Sequence, residues 1–147
     1  MKVWLKTLLM LTVLTSLPAI AQQAQKFGEF TVHYNALNTS MITADVAKAY
    51  GIRRSDSRAL VNISILKNSE NQLPTAVNAK VTASARNLTG QTRNIDMREI
   101  VEAETAIYYI GELSVRNMEN FDFTVLITPV GQENPFTLKF RQQFYTE

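Results

Sequence analysis

The sequence predicts an all-β fold, an antiparallel immunoglobulin-like β-sandwich of seven or eight strands with one short helix near residues 44–50. Three observations predict it. Apolar residues recur at every second position through most of the chain, turn-forming residues separate these runs, and only one segment has helical spacing. Short strands in this arrangement are typical of two packed antiparallel sheets.

The predicted strands follow one another at short intervals. They are centred on Phe30–Asn35, Val61–Ile65, Val77–Arg86, Thr92–Val101, Thr105–Leu113, Phe121–Thr128 and Phe136–Arg141. The third of these has a thin apolar face, because it is made of valine and alanine. We therefore expect the two late phenylalanine-rich strands to pack across it and fill the space.

The helical segment is predicted over Ala44–Tyr50. Thr43 can cap its first turn, and Asp45 lies where a negative charge is favoured. Gly51 supplies the left-handed residue with which many helices end, and Ile52 can fold back onto the last turn. A two-turn helix therefore joins the first strand to the second.

The first residues are typical of a cleaved secretory signal peptide over residues 1–21. Lys2 and Lys6 precede an apolar run over 8–17, and Ala19–Ala21 has the small residues that a signal peptidase recognises. The apolar run is shorter than the roughly 20 residues of a membrane span. We expect cleavage after Ala21, a periplasmic location, and one β-sandwich domain over 22–147 that does not span the membrane.

Composition excludes several classes of function. The chain has 15 basic and 13 acidic residues, and loss of Lys2 and Lys6 with the signal would leave the two charges balanced, so no nucleic-acid partner is predicted. There is no cysteine, which removes disulfides, thiolate catalysis and zinc–thiolate sites. No cofactor and no metal site is predicted.

Motifs for catalysis are also absent. The single histidine, His33, cannot form a multi-histidine zinc site, and no serine lies in a G-x-S-x-G turn. No glycine-rich phosphate loop follows a strand. Glu99, Glu102 and Glu104 alternate along a strand and are interpreted as a solvated face rather than a calcium site. Two carboxylates distant in sequence could still form a hydrolase site, so an enzyme of unrecognised type stays open, although no catalytic residue is predicted.

One stretch combines a helix end, a turn and a strand start with three arginines: Arg53, Arg54 and Arg58. The simple interpretation is that one arginine covers the last carbonyls of the helix and another pairs with Asp56. The alternative is a binding site for an anion or carboxylate, because guanidinium groups bind such groups in a fork. The candidate residues for that site are Tyr50, Arg53, Arg54 and Ser55, with His33 and Asn35 added if the first strand lies nearby.

A family resemblance appears at the same residues. The string FGEFTVHYNALNTS, followed by ADVAKAYGIRRSDSRALVNISI, resembles the uncharacterised secreted proteobacterial family designated domain of unknown function 4426. Arg54 matches the arginine that regularly precedes the serine in this family, whereas Arg53 is particular to this chain. The resemblance implies export and a single sandwich-like domain. It implies no activity and assigns a role to no residue.

Together these observations predict a periplasmic binding or interaction module, whose partner is a periplasmic protein or a small anionic ligand. Two alternatives stay open. One is an enzyme of unrecognised type, which would need a cavity joining His33 to a carboxylate. The other is an assembly or folding helper, which would show a long unpaired edge strand.

Overall fold

Alternating apolar residues face one another across two antiparallel sheets in the computed structural model, which describes residues 23–147. The predicted signal peptide lies outside these residues. The strands are β1 (Gln23–Phe27), β2 (Phe30–Asn38), β3 (Arg58–Ser69), β4 (Gln72–Ala76), β5 (Ala79–Asn87), β6 (Thr92–Ile95), β7 (Arg98–Glu102), β8 (Ala106–Ser114), β9 (Glu119–Pro129) and β10 (Phe136–Phe144). A 3₁₀ turn (Thr39–Met41) and helix α1 (Ala44–Ala49) lie between β2 and β3.

The larger sheet has the strand order β1-β2-β3-β8-β7, and β4 pairs with the far end of β3. The smaller sheet has the order β10-β9-β5-β6. All pairs are antiparallel. The predicted all-β antiparallel sandwich with one short helix is therefore confirmed.

The structure has ten strands, more than the seven or eight predicted, and the additions have weak sequence signals. The strands β1 and β4 are mostly exposed, and β4 contains Pro74, which suits an edge. The predicted strand Thr92–Val101 is two strands, because the chain leaves the smaller sheet after Ile95 and enters the larger one at Arg98.

This crossing from one sheet to the other passes directly over Gly111 of β8. A Cβ atom at Gly111 would lie 2.5 Å from Cγ2 of Ile95, 2.6 Å from Sδ of Met97 and 3.0 Å from the backbone oxygen of Asp96. Only glycine leaves room for this approach.

Phenylalanine rings fill much of the core, but not as the sequence suggested. The strand β9 lies beside β5 in the same sheet, with Phe123 in register with Ala85, rather than across from it. The ring of Phe123 stacks on Phe140 at 4.7 Å, and Phe144 meets the same ring edge-on at 6.3 Å. The small alanine side chains therefore leave space for large rings on the neighbouring strands.

The Tyr109 hydroxyl connects the two sheets. It donates a hydrogen bond to Oε2 of Glu99 on β7 and accepts one from the backbone N–H of Ala79 at the start of β5, both at 2.8 Å. Asn78 donates to the same Glu99 oxygen. Burial, more than the hydrogen bond to Glu99, raises the pKa of Tyr109 to about 12. Tyr109 thus ties β8 of the larger sheet to β5 of the smaller one.

The helices that the structure describes are short, and none has the length and apolarity to cross a membrane.

Candidate functional site

A cleft of about 370 Å³ lies on the outer face of the larger sheet, under the segment that joins β2 to β3. The sheet forms its floor and the joining segment forms its wall. Apart from one amide and one carboxylate, its lining is apolar or aromatic. The floor residues are Leu37, Leu60, Asn62, Ile100, Glu102, Tyr108 and Ile110, and the wall residues are Ile42, Val46, Tyr50 and Ile52.

The wall is fixed by the two ends of α1. The Thr43 side chain accepts a hydrogen bond from the Val46 N–H, as predicted for the N-terminal cap. At the other end Gly51 has φ of +63°, and the Ile52 N–H reaches back to the Ala47 carbonyl at 2.8 Å. This is the predicted Schellman ending. It turns the Ile52 side chain back under the helix.

The wall and floor share a second hydrophobic cluster, separate from the core between the sheets. Ala47 and Ile52 are buried against Leu60 of β3 and Ile110 of β8, and Tyr108 packs at its margin. Leu60 and Ile110 lie between residues that face the core, so β3 and β8 are apolar on both faces at this point. Both faces are covered because the joining segment forms a third layer there.

Glu102 and Asn62 are the polar exceptions in the lining. Glu102 ends β7, and it lines the same cleft as the Tyr50 phenol. Attraction of the phenol proton to Glu102, with some desolvation and the charge of Glu102, raises the pKa of Tyr50. Oδ1 of Asn62 is buried and has no hydrogen-bond partner within residues 23–147. Both groups are acceptors, and no lining side chain carries a positive charge.

The turn that carries Glu102 is strained. Ala103 and Glu104 both have positive φ, at 49° and 58°, and the Thr105 N–H bonds to the Glu102 carbonyl at 3.1 Å. Turns of this kind favour glycine or asparagine at both central positions, and neither is present here. Strained turns of this sort concentrate at ligand-binding places.

The helix end is covered by an arginine, but not by one from the arginine-rich corner. The guanidinium group of Arg98 on β7 donates a hydrogen bond to the Tyr50 carbonyl, at the C-terminus of α1. The simple interpretation expected Arg53, Arg54 or Arg58 there. Sequence alone could not identify Arg98, because β7 reaches the helix only through the pairing of β7 with β8.

The three corner arginines have different surroundings. Arg58 forms an ion pair with Glu112 at 3.2 Å on the neighbouring strand β8. Among the described residues none of the three forms the predicted ion pair with Asp56. Arg54 donates to the Ser40 carbonyl at 3.1 Å. Arg53 is exposed, and its guanidinium group makes no hydrogen bond or ion pair with residues of the described chain. Two of the three charges therefore have local structural roles.

The corner backbone is held by Thr39, which is fully buried. Its hydroxyl accepts a hydrogen bond from the Ser55 N–H at 2.9 Å, and its proton faces the carbonyls of Arg53 and Ser55 at 2.8 and 3.1 Å. The Ser55 hydroxyl itself bonds to the hydroxyl and the N–H of Ser57. The proposed contact Ser55 is thus already engaged within the loop.

His33 and Asn35 lie on the outer face of β2, as predicted, but His33 is distant from the arginines. Asn38, next to the arginine loop, is five residues along the strand from His33, or about 17 Å. The structure therefore does not bring His33 together with Arg53 and Arg54. Its Nδ1 is buried without a partner among the described residues, and it does not line the cleft. Asn35 is exposed and is in register with Asn62. Of the six predicted site residues, Tyr50 alone lines the cleft.

Other surface features of the described residues are weaker candidates for a binding site. A hollow of about 580 Å³ lies where β6 leaves the smaller sheet, but its lining mixes short polar side chains such as Thr82, Ser84 and Thr124 with apolar ones. Within residues 23–147 no group of three or more His, Asp or Glu side chains is placed to hold a metal ion.

The strand β10 is the nine-residue edge of the smaller sheet, with one side paired to β9. An open edge of this length can accept an added strand. However, Lys139 and Arg141 point outward from it, and Arg141 makes two hydrogen bonds to Asp122, at 2.6 and 2.9 Å. Charged side chains on an edge oppose pairing with another strand.

The cleft floor was missed by the sequence analysis, although a signal existed. Apolar residues stand next to one another at Ala59–Val61 and Tyr108–Ile110, so each of these strands presents apolar side chains to both faces. A strand of this kind needs cover on both sides.

Comparison with known proteins identifies a family and a solved structure with a similar fold. The sequence profile of the family described as Domain of unknown function (DUF4426) matches residues 24–147. The crystal structure of a DUF4426 family protein from Pseudomonas aeruginosa PAO1, at 2.09 Å resolution, is similar with a TM-score of 0.72 and 30% sequence identity. The similarity covers 85% of this chain and 95% of that chain. No curated protein matches the chain.

Proposed function

The chain belongs to the DUF4426 family, a domain of unknown function, and from its geometry we propose that it is a periplasmic binding module that holds a small, largely apolar ligand in the cleft. The cleft between α1 and the larger sheet is the observation that carries this proposal. Small-molecule sites are concave and mostly apolar, with a few polar groups that orient the ligand. The cleft volume of about 370 Å³ lies near the lower end of the range for such sites, so the ligand would be compact.

Binding is favoured over catalysis by the residues of the lining. They include no histidine, serine or lysine, and Glu102 is their sole carboxylate. A nucleophile with its base, or a pair of carboxylates, is the usual minimum for hydrolytic chemistry. The periplasmic location rests on the signal sequence predicted over residues 1–21.

Titration with 1-octanol, followed by NMR of the isoleucine methyl groups, tests the cleft. We expect saturable shifts of Ile100 and Ile110. Replacing Val46 by tryptophan fills the mouth from a position that is 43% exposed, so octanol should bind severalfold more weakly. The matched control is Val130→Trp in the turn after β9, which is 76% exposed and distant from the cleft. Equal binding by the two variants, or no saturable shift in the native protein, would reject the proposal.

The anion-binding corner stays a separate prediction. Arg53 and Arg54 are both exposed beside the Thr39-held loop, and only Arg54 has a local hydrogen bond. The double variant Arg53→Ala, Arg54→Ala should lose phosphate-induced NMR shifts of the Ser55 amide. If phosphate shifts nothing in the native protein, the corner has a structural role alone.

A folding helper is a second candidate, because one side of the nine-residue edge β10 is unpaired, but the outward charges of Lys139 and Arg141 oppose strand addition there. It predicts that the protein slows aggregation of an unfolded envelope protein. Unchanged aggregation in the presence of the native protein would exclude it.

A further inference from the structure

Building on the proposed function, we infer that the cleft selects an organic cation, a ligand with an apolar body and a protonated amine. The amine would lie at the end of the cleft where Glu102 and the rings of Tyr50 and Tyr108 meet. The inference concerns the charge of the ligand and not the existence of the cleft.

The charge of the cleft lining favours a positively charged ligand. Glu102 is the only charged residue among those that line the cleft, and it stands at the end of β7 beside the two tyrosines. The Tyr50 phenol lines the same end of the cleft as the Glu102 carboxylate. A carboxylate with two hydrogen-bonding oxygens accepts further donors, and an ammonium group supplies three of them.

The aromatic rings add to the same preference. The faces of tyrosine rings attract cations, and sites that hold organic ammonium groups are built from such rings. Tyr50 and Tyr108 lie close enough that the second affects the ionisation of the first. The ligand's ammonium would therefore have a carboxylate and two rings around it while its apolar part covers Leu60 and Ile110.

An anionic ligand is disfavoured at the same place. It would bring a like charge to Glu102 without a cation in the lining to balance it. Arg98 is four residues from Glu102 along β7, about 13 Å of strand, and its guanidinium group is bonded to the Tyr50 carbonyl. The unpaired Oδ1 of Asn62 adds another acceptor beside the cleft.

Three probes with the same chain test the inference on the full mature protein at pH 7: octylamine, 1-octanol and octanoate. We expect octylamine to bind about tenfold more tightly than octanol, because an exposed ion pair and a cation–ring contact act together. Octanoate should bind more weakly than octanol. Added salt should reduce the difference between octylamine and octanol, because it screens the ion pair.

The residue responsible is tested by Glu102→Gln, with Glu104→Gln as the matched control on the same turn. Glu102→Gln should remove the preference, so that octylamine binds no more tightly than octanol, whereas Glu104→Gln should keep the preference of the native protein. If octylamine and octanol bind equally to the native protein, the cationic ligand is excluded while the cleft stands. Tighter binding of octanoate would overturn the inference and favour an anionic ligand. If none of the three binds saturably, the proposed function fails as well.

Discussion

Replacing Tyr109 by phenylalanine should weaken the connection between the two sheets and nothing else. The substitution keeps the ring, which is 4% exposed, and removes the hydroxyl that bonds Glu99 and Ala79. Each hydrogen bond contributes about 1 kcal/mol net, and leaving the half-buried Ala79 N–H unpaired adds to the cost. We expect the free energy of unfolding to fall by about 2–3 kcal/mol.

Urea unfolding followed by circular dichroism measures this change, and Tyr108→Phe is the matched control. The Tyr108 hydroxyl makes no hydrogen bond with the residues that the structure describes, so its removal should cost less than about 0.5 kcal/mol. Equal losses for the two variants, or a loss below about 0.5 kcal/mol for Tyr109→Phe, would refute the role assigned to this hydroxyl.

The same hydroxyl predicts a dependence on alkaline pH. Because the folded-state pKa of about 12 lies above the ordinary value near 10, the native protein keeps a proton that the unfolded chain has lost. Its contribution is fully present below pH 10 and is lost as the pH rises to 12, by about 2–3 kcal/mol in total. The difference in stability between the native protein and Tyr109→Phe should therefore shrink over this window. A constant difference would contradict this explanation.

Further predictions concern backbone approach, the arginine corner and the helix end. Gly111→Ala should lower the free energy of unfolding by about 1–3 kcal/mol, because the crossing chain must move; an unchanged melting temperature would contradict this. Thr39→Val should cost about 2–3 kcal/mol in urea unfolding, since the Ser55 N–H loses its acceptor, and a change below about 0.5 kcal/mol would show that the loop does not depend on this hydroxyl. Arg98→Ala should lower the free energy of unfolding by up to about 1 kcal/mol, and Arg53→Ala should leave it almost unchanged. A larger loss for Arg53→Ala would show that a corner arginine, and not Arg98, stabilises the C-terminus of α1.

The strands and the helix were predictable because their signals are local. Alternation along β5 or β9, and the cap residues Thr43 and Gly51, depend on neighbours in the chain, and the structure confirms both. The edge strands β1 and β4 were not predictable in this way, since an exposed edge strand buries too little to impose an apolar period.

The candidate site was harder to predict because it depends on which strands are neighbours. Glu102 reaches Tyr50 only because β7 pairs with β8 and the segment after β2 lies over that pair. The arginine corner attracted attention through its charge density. Its backbone is held by Thr39, an uncharged side chain whose hydrogen bonds are not visible in sequence.

The wall of the cleft is attached to the sandwich but does not form part of its main core. Ala47 and Ile52 belong to a small cluster of their own, while the large rings lie between the sheets. We therefore expect the helix and its following turn to open locally with a lower free energy than that of global unfolding. Under the proposed function, substitutions in this wall would change the ligand preference of the cleft while the core between the sheets keeps its packing.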